Sequence, residues 1–150
     1  MKKVLTLMLF IFFLLMGCNS SQVEFENGSL IHDEQTAVDD QMSRIVEVAF
    51  SEEEFGDLWN YFNFEEEHPS VDFEKSGIIV AQTTENSCPK EIEKLEFDNG
   101  EENLIIDTMQ KETTCDDIGL PRTLVFQVDK DKLEKVESIR FEGEEFTLEN

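Results

Sequence analysis

The chain is short of the residues on which catalysis and nucleic-acid binding depend. It has two histidines, one tryptophan, one tyrosine, three prolines, and 12 lysines and arginines against 35 aspartates and glutamates. Too few cations are present to neutralise a phosphate backbone, which excludes a nucleic-acid partner. The same imbalance keeps the protein surface from lying flat on an anionic bilayer. Beyond residue 44 the only histidine is His68, so a nucleophile–base–acid triad has one candidate base, set among acids. There is no Gly-x-Ser-x-Gly elbow and no glycine-rich phosphate loop. Cys-x-x-Cys is missing, which removes a thioredoxin-like role, and no histidine stands at zinc-ligand spacing from Cys88 or Cys115. Glu65, Glu66 and Glu67 beside His68 are adjacent, whereas hard-ion loops use spaced ligands. The expectation is a protein that is not an enzyme, with no catalytic residues, no cofactor and no metal site.

Long apolar runs are missing too, with one exception. Lys2 and Lys3 precede a mostly apolar stretch from Val4 to Met16, and Leu15-Met16-Gly17-Cys18 follows. At ~1.5 Å per helical residue this stretch falls short of the ~30 Å hydrocarbon core, as the core of a processed export signal does. The arrangement resembles the lipobox of a bacterial lipoprotein. The resemblance implies cleavage before Cys18 and a lipid on its sulfur, with the protein anchored at the extracytoplasmic face of the cell membrane. Residues 1–17 are then the signal peptide. Lys2 and Lys3 leave with it and no acid does, so the formal charge moves from −23 to −25. A diacyl anchor suffices to hold so acidic a domain where its surface would not.

Residues 18–43 are mostly polar and lack a clear period, which predicts a lipidated, flexible tether with His32 exposed to solvent. A single domain is expected over 44–150. Ile45, Val46 and Val48 suggest a strand. Ser51 and Glu54 form a capping box ahead of a helix, with Phe50 and Phe55 placed as a hydrophobic staple. Phe55, Leu58, Trp59 and Phe62 follow the spacing of one buried helical face. Ile78–Ala81 reads as a buried strand. Leu95 and Phe97, then Leu104–Ile106, flank Asn99-Gly100, a hairpin signal. Leu124–Val128 reads as a strand, and Ile139–Phe141 with Phe146–Leu148 as a second hairpin around Gly143. The fold class expected is α+β: an antiparallel sheet of about six short strands with one N-terminal amphipathic helix.

With Cys18 lipidated, Cys88 and Cys115 remain as an even pair, which outside the cytoplasm is most simply a disulfide. Two registers of the first hairpin are open. A two-residue turn at Asn99-Gly100 pairs Asp98 with Glu101 and sets Cys88 opposite Lys111. A longer loop with Phe97 opposite Ile106 brings the two cysteines level.

Val71-Asp72-Phe73-Glu74-Lys75-Ser76-Gly77-Ile78-Ile79-Val80, preceded by the helix of Trp59, resembles the start of the protease-complex-stability (PrcB-like) domain. The chain departs from that pattern at Thr83-Thr84-Glu85-Asn86-Ser87-Cys88-Pro89, where the family tends to carry a Thr-Gly-Gly-type turn. The resemblance implies a small exported protein that supports a partner. The function expected is therefore a cell-envelope lipoprotein whose domain binds or stabilises a protein at the membrane surface. The alternatives are a binding module for cations, a small solute or a wall polymer, and a hydrolase.

Overall fold

Two ten-residue strands, β4 (Ser76–Glu85) and β7 (Leu120–Asp129), pair antiparallel along their whole length at the centre of the molecule. Their inner residues are apolar on both faces, as befits strands covered from both sides. The computed structural model describes residues 22–38 and 42–148. Around the central pair lie β1 (Val23–Phe25), β2 (Gly28–Glu34) and β3 (Ile45–Ala49), giving a five-stranded antiparallel sheet in the order β1-β2-β7-β4-β3. A second sheet, ordered β5-β6-β8-β9, contains β5 (Glu91–Phe97), β6 (Asn103–Met109), β8 (Ser138–Phe141) and β9 (Glu144–Thr147). Its β6 and β8 run parallel, and its other pairs are antiparallel.

Three layers result. One core fills the space between the sheets, with Ile79, Ala81, Leu124 and Phe126 facing Leu95, Leu104, Ile106, Ile139 and Phe141. The opposite face of the larger sheet is covered by helix α1 (Glu52–Tyr61). There Phe55, Trp59 and Phe62 pack on Ile78, Val80 and Val125 in a second core. The alternation along β4 and β7 assigns neighbouring residues to different cores. Helix α1 starts as its sequence predicts: Ser51 Oγ accepts from Glu54 N at 3.2 Å. Glu54 Oε2 reaches back to Phe50 N at 2.7 Å, one residue beyond the usual box partner. Phe50 itself packs in the core between the sheets, whereas Phe55 lies in the other core. A one-turn helix α2 (Lys130–Leu133) follows β7 and contributes Leu133 to the inter-sheet core.

The α+β class stands, and three expectations are corrected. The described residues hold nine strands in two stacked sheets rather than about six in one. The domain does not begin near Arg44, because Val23–Glu34, expected within the tether, forms β1 and β2. Strand β2 needs few apolar residues because it uses them economically. Leu30 faces the inter-sheet core, Ile31 the helix side, and the register shifts between Leu30 and His32. That bulge turns His32 to the helix side as well. The Asn99-Gly100 hairpin takes neither predicted register. Phe97 pairs with Leu104, and a second shift lies between Ile92 and Lys94. Asp98 sets the longer loop by accepting N–H bonds from Gly100, Glu102 and Asn103, and the positive φ (58°) falls on Glu101, not on Gly100.

Candidate functional site

One edge strand of each sheet, β1 and β5, borders a groove of about 500 Å³. Its apolar surface comes from Val23, Phe25, Leu30 and Ile92, and Val23 is 47% exposed. The β1–β2 turn brings the edges together: Asn27 Nδ2 donates to the Leu95 carbonyl of β5 at 3.3 Å. Gly28 leaves room at this junction, since a Cβ there would lie 2.4 Å from the Gln127 carbonyl oxygen of β7 and 3.2 Å from Leu95 Cδ2 of β5.

Charge around the groove is divided. Two cations, Arg122 and Lys90, point inward. Arg122, on β7, donates to the buried Glu85 at 2.8 Å, to the Lys90 carbonyl at 2.7 Å and to Asp33 of β2. Lys90 reaches Glu142 at 2.8 Å. Glu91 and Glu112 stand exposed at the rim, Glu91 pairing with the exposed Lys111. The outward face of the groove thus carries two carboxylates, one of them paired with Lys111, around an apolar floor.

Glu142 organises this end of the molecule. It occupies the two-residue turn between β8 and β9, where Glu142 (φ 48°) and Gly143 (φ 82°) both take the left-handed conformation of a tight hairpin. Its side chain is only 6% exposed. Its carboxylate accepts from Lys90 Nζ, Thr108 Oγ1, Thr83 Oγ1 and Arg44 Nε. Burial alone would push this carboxyl up; the four hydrogen bonds outweigh it and bring the pKa down to about 2. Both sheets and the chain entering β3 are thereby joined through one side chain.

Cys88 and Cys115 form a disulfide with Cα atoms 5.6 Å apart. Strand pairing in β5–β6 ends at Glu91 and Met109, so the bridge joins the loops beyond the hairpin. Asn86 Nδ2 donates to Gln110 Oε1 at 2.8 Å, Ser87 N to the Asp116 carbonyl at 3.1 Å, and Asp116 N to Ser87 Oγ at 2.7 Å. These ties hold the exposed 110–119 segment, and with it Glu112, against the groove. Cys18, the expected lipidation site, lies outside the described residues.

His32, expected in solvent, is packed with its side chain 16% exposed. Its ring lies 4.8 Å from Trp59 and 5.1 Å from Phe64, and Nε2 is 3.3 Å from Glu34 Oε2. His68 lies 5.2 Å from the Phe55 ring, with Nε2 3.6 Å from Glu52 Oε1. Trp59 Nε1 donates to the Glu66 carbonyl at 2.7 Å. The aromatic stripe therefore packs as core, and its histidines extend that packing. Among the described residues, no three His, Cys, Asp or Glu side chains gather as metal ligands, and no helix is long and apolar enough to cross a membrane. Sequence reasoning missed the groove. Its walls come from segments some ninety residues apart, and the one local signal was the apolar Val23, Phe25 and Leu30 within a polar stretch.

This is a two-sheet α+β module with one helical cover and an open apolar groove at its sheet edges. No family model, curated protein or solved structure matches the chain.

Proposed function

We propose that the chain is a cell-envelope lipoprotein, anchored through lipid on Cys18 at the extracytoplasmic face of the membrane, whose non-catalytic domain binds or stabilises a protein partner. The observation that carries this reading is the groove between β1 and β5. It offers the exposed Val23 and the half-buried Phe25 and Ile92 beside two strand edges, the setting in which an extended peptide adds to a sheet. The kinship to PrcB-like domains belongs to the same proposal. Its supports are the Trp59 helix packed over the sheet and the Asp72 turn, where Asp72 Oδ1 accepts from Glu74 N at 3.1 Å immediately before β4. The test is photocrosslinking on intact cells, with the crosslinker at Glu91. One discrete adduct that a crosslinker at Glu134 of the far end does not give is the expected result. Equal labelling from both positions, or none under several growth conditions, contradicts the proposal.

A further inference from the structure

The anchor and the groove are close in the chain. Five peptide units separate Cys18 from Val23, a contour of at most ~18 Å at ~3.6 Å each. Strand β7 alone spans ~33 Å over its ten residues. A lipid on Cys18 therefore holds the β1 edge near the headgroups instead of letting the domain range freely above them, as a tether of 18–43 would. Val23, the nearest described strand residue to the anchor, is itself a wall of the groove. The groove rim exposes Glu112 and Glu91, the latter paired with the exposed Lys111, while Arg122 and Lys90 are turned inward onto Glu85 and Glu142.

From the leash length, the free strand edges and the charge of the rim, we propose that the groove docks an extended segment alternating basic and apolar residues that lies next to the bilayer: the juxtamembrane stretch of an integral membrane protein. Apolar side chains of that segment meet Val23, Phe25 and Ile92. Its cations meet Glu112 and, in place of Lys111, Glu91, and its backbone pairs with a free strand edge. This deepens the partner-binding reading and rests on lipidation of Cys18 for the membrane-proximal part.

The probe is a fluorescent eight-residue peptide alternating lysine and valine, titrated onto the mature lipidated chain in nanodiscs of zwitterionic lipid. Saturable binding is expected, absent for the glutamate–valine counterpart. Changing Glu91→Lys and Glu112→Lys together should weaken it about tenfold, and Glu134→Lys at the C-cap of α2 should leave it unchanged. Carried next to a transmembrane helix in the same nanodisc, the lysine peptide should bind at least about a hundredfold more tightly. A flexible spacer inserted after Asn19 should reduce that gain.

No saturation, or equal weakening by Glu134→Lys, overturns the groove assignment. A membrane-borne peptide that binds no better than the free one overturns the juxtamembrane partner. A dimer of the chain that competes with the peptide assigns the groove to a second copy instead. Vesicle binding by the Cys18→Ser chain that Val23→Asp abolishes assigns it to lipid. Failure of the anchor reading is seen separately, as no palmitate incorporation into wild type while free peptide still binds.

Discussion

Glu142 concentrates more hydrogen-bond donors than any single position in a two-residue turn requires. A non-glycine residue with φ 48° is uncommon outside such turns. The ring of Lys90, Thr108, Thr83 and Arg44 over-determines it. Glu142→Gln keeps the shape and removes the charge, leaving Lys90 and Arg44 without their shared anion, and should lower stability by roughly 2–3 kcal/mol in urea denaturation at neutral pH. The pH dependence has a definite sign. The folded pKa is depressed from 4.5 to about 2, so this contribution is present in full above about pH 4.5 and is lost as pH falls towards 2. Wild type and Glu142→Gln should therefore converge in stability as the pH is lowered through that window. A gap that persists to pH 2 would show that shape, not charge, is what the site supplies. Gln82 does a quieter task of the same kind: fully buried, it accepts from Val38 N and donates to the Ser43 carbonyl, each at 2.9 Å, tying both ends of the 38–43 segment to β4.

Among the elements, β2 changes the domain boundary. A chain starting at Arg44 lacks β2, one of the two neighbours of β7, so one edge of a central strand becomes a template for aggregation. It also loses Leu30 and Ile31, one from each core. Such a truncation should be insoluble or lack a cooperative thermal transition by circular dichroism, while a chain starting at Gln22 should melt cooperatively. Equal melting of the two would place β2 outside the folding unit. The disulfide acts on a different element. It spans 27 positions, worth about 3–4 kcal/mol in the chain-entropy model. It joins loops instead of paired strands, so reduction should speed hydrogen exchange first in 110–119 and leave β4 and β7 protected. Loss of protection throughout β4 on reduction would mean that the bridge holds the sheet itself.

These elements differ in how far the sequence revealed them. Helix α1 was legible because Ser51, Glu54 and the Phe55–Phe62 spacing are local signals that agree with its packing. The C-terminal hairpin was legible because Gly143 sits in its turn. The Asn99-Gly100 signal pointed to a hairpin, but Asp98 captured three backbone N–H groups and lengthened the loop. Strand β2 was illegible because His32, Asp33 and Glu34 are polar, and their partners lie far along the chain: Trp59 and Phe64 for His32, Arg122 for Asp33 and the Glu65 N–H for Glu34. The groove, assembled from four separate segments, left only the apolar Val23, Phe25 and Leu30 as a local trace.

At the scale of the whole molecule, charge sets the remaining behaviour. Thirty-five acids against 12 bases leave a surface in net repulsion with itself. The ion pairs that oppose it are mostly exposed, such as Lys75 with Asp72 and Lys135 with Glu101, and exposed pairs add little. Salt weakens both effects, but the repulsion is carried by many more charges. The Debye length shrinks from ~30 Å at 0.01 M to ~3 Å at 1 M. The buried Glu142 cluster is screened far less. Raising sodium chloride from about 0.01 M to about 0.5 M should therefore raise the urea midpoint, by on the order of 1 kcal/mol in stability. If Cys18 carries the proposed lipid, the effect should be larger on anionic nanodiscs than on zwitterionic ones, because a leash of at most ~18 Å would hold the acidic β1 edge within the field of the lipid. A midpoint that falls with salt would make the exposed ion pairs the dominant electrostatics. Equal salt responses on the two nanodiscs would mean that the chain between Cys18 and Val23 does not hold the domain close to the bilayer.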